Sequence, residues 1–146
     1  MWNLDKKLNK WKPELVMMDN NRAILAGGWS KNGKKFGLGA ASHKTLIGYF
    51  DEKNNWWFCE KIKKFKSSVV AVQLHPSGRV VATGSTDFSF KLITCYIASV
   101  DEKDNYKGLY EDVKTFGDIL FDYSGQGWVE ALAWSPSGQQ IAFAGL

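Results

Sequence analysis

Three stretches of the chain share one arrangement of apolar and polar positions. Residues 23–40 read AILAGGWSKNGKKFGLGA, residues 69–85 read VVAVQLHPSGRVVATGS, and residues 128–145 read WVEALAWSPSGQQIAFAG. Each opens with an alternating run that ends at Trp29, Leu74 or Trp134. A four-residue turn follows, closed by Gly33, Gly78 or Gly138, and then a second apolar run. Period-two alternation predicts half-buried strands. Glycine at the close of a tight reversal predicts a positive φ, which a Cβ would strain. His75 is expected to serve the second of these turns, where it stands before Pro76.

The turn glycines are 45 and 60 residues apart. A period near 40–45 residues with four strands per unit is the pattern of a propeller blade. The longer interval then holds one blade plus an insertion of roughly 15 residues. That insertion falls at about residues 100–118, VDEKDNYKGLYEDVKTFGD, with six acids and three lysines. It reads as a surface loop with a helical turn at Leu109–Val113. Thr45–Phe50 and Phe88–Thr94 supply third strands; Trp56–Ile62 and Asp118–Phe121 supply outer, fourth strands. Asp87, just before a third strand, is expected to accept backbone N–H bonds and fix its turn. The matching turn of the first repeat, AASHKT, has no aspartate. The expected organisation is all-β, an incomplete β-propeller of two full four-stranded blades and parts of two others. Residues 1–22 end one blade, 23–62 and 68–123 form two, and 128–146 begin the next.

Composition changes this picture little. Length and apolar content suit one globular domain, and seven tryptophans are many for 146 residues. No apolar run approaches the roughly 18 residues of a membrane span. No hydrophobic leader core stands at the N-terminus, so secretion is not indicated. Cys59 and Cys95 are isolated, with no metal-ligand spacing, and read as two buried thiols. Charge is more informative. Residues 1–66 carry fourteen Lys/Arg against six Asp/Glu, and residues 67–146 carry five against nine. Such a split suits either a basic face toward an acidic partner or solvated strand edges and turns.

Candidate chemistry is thin. Gly28 to Lys34 matches the first seven positions of a phosphate-cradling loop, but Lys35 stands where that loop needs Ser or Thr. A strand follows rather than a helix, so no nucleotide cofactor is expected. His43 and His75 have no nucleophile motif beside them, and no metal or catalytic constellation emerges; no enzyme is expected. Lysines spread over turns, with few arginines, argue against base reading, so no nucleic-acid partner is expected. The interface candidates are Trp56, Trp57, Lys61, Lys63, Lys64 and Lys66, on or next to an outer strand. Alternation would bury one tryptophan of the pair.

The Ser-Pro or His-Pro before the turn glycine, ATGS in the second strand and Asp before the third resemble WD repeats. Three stretches resemble one family more closely: NRAILAGGWSKNGKKFGLGAAS, NNWWFCEKIKKFKSSVVAVQLHPSGRVVATGSTDFSFKLI and GWVEALAWSPSGQQIAFAG. They are similar to the WD-repeat subunit of the actin-related-protein complex that nucleates branched actin filaments. The resemblance implies an architectural role in the cytoplasmic actin cytoskeleton. The implied partners are actin-related proteins and other subunits, with the actin filament and an activator met through the full-length protein. A WD40 scaffold of another complex is the rival reading. The family's closed propeller of roughly seven blades exceeds this chain in length, so the chain reads as a fragment. Alone, it is expected to aggregate or fold partially through its bare strand edges.

Overall fold

The computed structural model describes residues 1–145. Two four-stranded antiparallel sheets lie between two two-stranded hairpins. The first hairpin pairs β1 (Trp2–Asp5) with β2 (Lys10–Pro13), and among the described residues β2, which ends at Pro13, has no second partner strand. The first sheet runs β3 (Ile24–Trp29), β4 (Lys35–Ala40), β5 (Lys44–Asp51) and β6 (Trp56–Ile62) in chain order. The second runs β7 (Val69–Leu74), β8 (Val80–Ser85), β9 (Ser89–Cys95) and β10 (Phe116–Ser124). The last hairpin pairs β11 (Val129–Trp134) with β12 (Ile141–Gly145).

The three similar sequences fold alike in detail. Gly33, Gly78 and Gly138 have φ of 70, 70 and 74°. Their amides donate to the carbonyls of Ser30, His75 and Ser135 at 3.0, 2.8 and 2.9 Å. Each preceding strand also carries a register shift near its start, between Ile24 and Ala26, Val69 and Ala71, and Val129 and Ala131. A bulge there adds right-handed twist, which lets consecutive sheets stack face to face.

The core lies between the sheets. Ile47 and Ile62 of the first sheet meet Val69, Val72, Leu74, Val81, Ile93 and Cys95 of the second. A second cluster joins Val80, Ala82, Phe90 and Leu92 to Val129, with Leu132, Trp134 and Ile141 packed against it. Close approach requires glycine at equivalent places. A Cβ on Gly39 would stand 2.5 Å from the Val69 carbonyl oxygen, and one on Gly84 would stand 2.5 Å from that of Val129. In each case the end of a second strand lies against the first strand of the next sheet.

The insertion departs from expectation. It begins with a one-turn helix, α1 (Ala98–Asp101), and β10 starts already at Phe116. Residues 109–113 are not helical: Gly108 and Tyr110 take positive φ, 138 and 69°, and break the right-handed path.

Gly39→Ala and Gly84→Ala should each lower stability by roughly 1–3 kcal/mol, because backbone must move to admit the methyl. Urea denaturation checks this; a change within error for both would refute the packing described.

Candidate functional site: an outer strand and an anchored insertion

The insertion is tied down by two buried cations. Lys35 opens β4 at the register position that Val80 fills in the next repeat, and it is completely buried. Its Nζ donates to the carbonyls of Gly78 and Cys95, both at 2.6 Å, and to Asp101 Oδ2 at 2.8 Å. An ammonium has three protons, and each has an acceptor. Asp101 Oδ2 also accepts the Ile97 amide at 2.6 Å, while Oδ1 has no partner. Burial pushes the Asp101 carboxyl upward, and the Lys35 ammonium opposes that shift. The second cation, Arg79, donates to the carbonyls of Glu111, Val113 and Asp101, the last two at 3.2 and 3.1 Å. Its guanidinium lies over the Tyr96 ring, 5.3 Å from the centroid. Lys103 and Asp104 then reach the first sheet, bonding Glu52 and Asn32 at 2.9 Å each. The inserted segment is therefore a brace between two sheets.

His75 is buried in its turn. Ser77 N–H donates to Nδ1 at 3.0 Å, so Nε2 carries the proton and donates to the Gly138 carbonyl at 3.0 Å. Trp134 and Tyr110 stand edge-on to the ring at 4.8 and 4.9 Å. Asp87 Oδ2 accepts the Lys66 amide at 2.8 Å, and Oδ1 accepts the Ser89 amide at 3.1 Å. Burial raises this carboxyl, but the hydrogen bonds from Ser89, Lys66 and Ser85 outweigh it and hold it below the usual range. In the first sheet Ser42 occupies the comparable turn and bonds Asn20 at 2.7 Å.

The interface candidates divide. Trp57 turns inward against Trp29, Phe36 and Phe50, with centroids 5.9, 5.4 and 5.5 Å away. Trp56 is 47% exposed. Lys61 pairs with Asp19, and Lys63, Lys64 and Lys66 have no ion-pair partner among the described residues. At about 3.3 Å per strand residue, Trp56, which opens β6, and Lys63, just past its last residue, stand roughly 23 Å apart. They form two patches rather than one. Burial pushes the Cys59 thiol to about 11 and the Cys95 thiol to about 12, so neither is an activated thiolate. Among the described residues no cluster of three or more His, Cys, Asp or Glu could hold a metal, and no helix is long and apolar enough to cross a membrane.

Lys35, Asp101 and Arg79 escaped the reading of the sequence. One signal was present: a lysine at the register of Val80, where the pattern asks for an apolar side chain.

Repeated four-stranded sheets, equivalent glycine turns and cores between sheets define a WD40 β-propeller protein, and residues 59–94 match the family described as WD domain, G-beta repeat. Over 99% of its length the chain is 35% identical to actin-related protein 2/3 complex subunit 1A of Arabidopsis thaliana, covering 38% of that protein. It is 31% identical over 92% of its length to subunit 1 of Schizosaccharomyces pombe, covering 36% of it. To subunit 1A-B of Xenopus laevis it is 34% identical over 91% of its length, covering 37%. The chain is similar to these subunit 1 proteins along 91–99% of its own length and spans a little over a third of theirs.

Lys35→Met alone leaves a buried carboxylate without its cation and should cost about 3–5 kcal/mol. The double variant Lys35→Met with Asp101→Leu should recover most of that loss. Urea denaturation of the singles and the double measures the coupling, and additive losses would contradict it.

Burial lowers the folded-state pKa of His75 below the ordinary 6.5. The unfolded chain therefore binds more protons as pH falls beneath 6.5, and stability falls with it. Between pH 7 and 5.5, His75→Ser should lose less stability than the wild type, from a lower starting point. Equal slopes in thermal melts would refute this.

Proposed function

We propose that this chain forms blades of a non-catalytic scaffold subunit in the complex that nucleates branched actin filaments. The observation that carries the reading is homology to subunit 1 proteins along 91–99% of the chain. A stack of blades with cores between them suits a scaffold, because it holds its turns and outer strands as a rigid surface for neighbours. In this reading the partners are actin-related proteins and the complex's other subunits. The filament and the activator are met through the whole protein, at the cytoplasmic actin cytoskeleton.

The candidate contact is the outer edge of the first full blade. Trp56 is its aromatic anchor at one end, and Lys63, Lys64 and Lys66 are its charged group at the other. An exposed tryptophan on a rigid strand is the residue type that most often dominates binding energy. Lysines without carboxylate partners favour an acidic neighbour and speed its docking.

Tagged wild-type protein purified from source cells should bring down two actin-related proteins in stoichiometric amounts. Trp56→Ala should weaken that retention by roughly tenfold or more, the loss expected of an aromatic hot spot, with the thermal midpoint unchanged. Charge reversal of Lys63, Lys64 and Lys66 should slow association most at low salt. Recovery of an unrelated partner set would overturn the assignment and leave a WD40 scaffold of another complex.

A further inference from the structure

A concavity of about 500 Å³ opens at the end of the first sheet opposite the glycine turn, lined by Asn21, Arg22, Ser42, His43, Lys44 and Lys63. Three separate segments converge there: the lead-in to β3, the turn between β4 and β5, and the chain leaving β6. The lining has no carboxylate and no apolar side chain. The neighbouring acid is Asp19, which Lys61 engages and whose carboxyl is held low by Lys61, Lys44 and Lys63 together. One carboxylate among three lysines, with Arg22 and His43 alongside, leaves this end strongly cationic.

The walls are braced before any ligand arrives. Lys44 Nζ is held by the Asp19 carbonyl at 2.8 Å, Ser42 Oγ by Asn20 at 2.7 Å, and the Ala41 amide donates to the Ala23 carbonyl at 2.9 Å. His43 has a left-handed backbone, φ 61°, at the tip of its turn, and its side chain is exposed.

The geometry points to a binding site for a compact, multiply phosphorylated polar ligand, of the kind carried by inositol phosphates and phosphoinositide headgroups. An arginine fork and clustered ammonium groups match phosphate oxygens in charge and hydrogen bonding. With no aliphatic side chain and no Phe, Tyr or Trp in the lining, an apolar protein side chain or a nucleobase finds little to bury against. A concavity walled by three segments also fits a compact anion better than an extended acidic peptide. This inference does not depend on which complex the chain occupies.

Wild-type protein would be purified from source cells in its native assembly. Beside it would stand a variant with Arg22→Gln, His43→Gln, Lys44→Gln and Lys63→Gln, and a control with Lys31→Gln, Lys107→Gln and Lys114→Gln. Titration calorimetry with inositol hexakisphosphate should give saturable binding, weakened roughly tenfold or more in the site variant and little changed in the control. Flotation with phosphatidylcholine vesicles carrying phosphatidylinositol 4,5-bisphosphate separates the two sources. Retention that needs the same four residues assigns a membrane headgroup, whereas calorimetric binding without retention assigns a soluble phosphate ester. Absence of saturable binding, equal losses in both variants, or equal competition by single-stranded RNA of matched charge would overturn the proposal.

Discussion

The ammonium of Lys35 is the point on which this arrangement turns. It leaves the first sheet and ends among three acceptors of the next blade: the Gly78 carbonyl in a turn, the Cys95 carbonyl at the end of β9 and the Asp101 carboxylate of the insertion. Desolvating such a pair costs several kcal/mol per ion, so its worth as net stability is small. Its worth as a constraint is large. With every ammonium proton satisfied, a change in either sheet's position or in the path of the insertion leaves a charge buried without its partner. Arg79 repeats the device from the second sheet, holding three carbonyls between Asp101 and Val113.

Everything around the pair is ordinary propeller packing. Glycines at 39 and 84 let one sheet's second strand lie against the next sheet's first. Apolar side chains fill the gap that results. In the second repeat the register position of Lys35 is Val80, which packs into the following core. In the first repeat a lysine stands there, and through the Asp101 carboxylate it ties the next blade's insertion to the Gly78 and Cys95 carbonyls. Charge replaces a hydrophobic contact where a loop replaces a tight turn.

Much of the fold was legible in the sequence for local reasons. Strands follow from alternation, and the three equivalent turns follow from glycines that positive φ demands. The sequence also suggested that the Trp56–Trp57 pair would divide, since successive strand residues face opposite ways, though not which of them would be buried. The insertion was not legible in the same way. Asp101 and Lys35 look like solvated charges because local pattern carries no information about a partner 66 residues away. The expected helical turn at 109–113 failed because Gly108 and Tyr110 adopt positive φ, and Arg79 takes the Glu111 and Val113 carbonyls as acceptors for its guanidinium. The cationic concavity likewise joins segments far apart in the chain, and only the tertiary path brings Arg22, His43 and Lys63 to one rim.

The central claim is that the insertion and the two sheets it braces form one cooperative unit. Native-state hydrogen exchange tests it most directly, read at the amides of Ile97, Val100 and Asp101, and at those of β4 and β8. The account predicts that the insertion amides open with the same free energy as the strand amides, and that Lys35→Met lowers both together. Insertion amides that exchange freely while the strands stay protected would contradict it, and would leave the buried pair as a contact of no structural consequence.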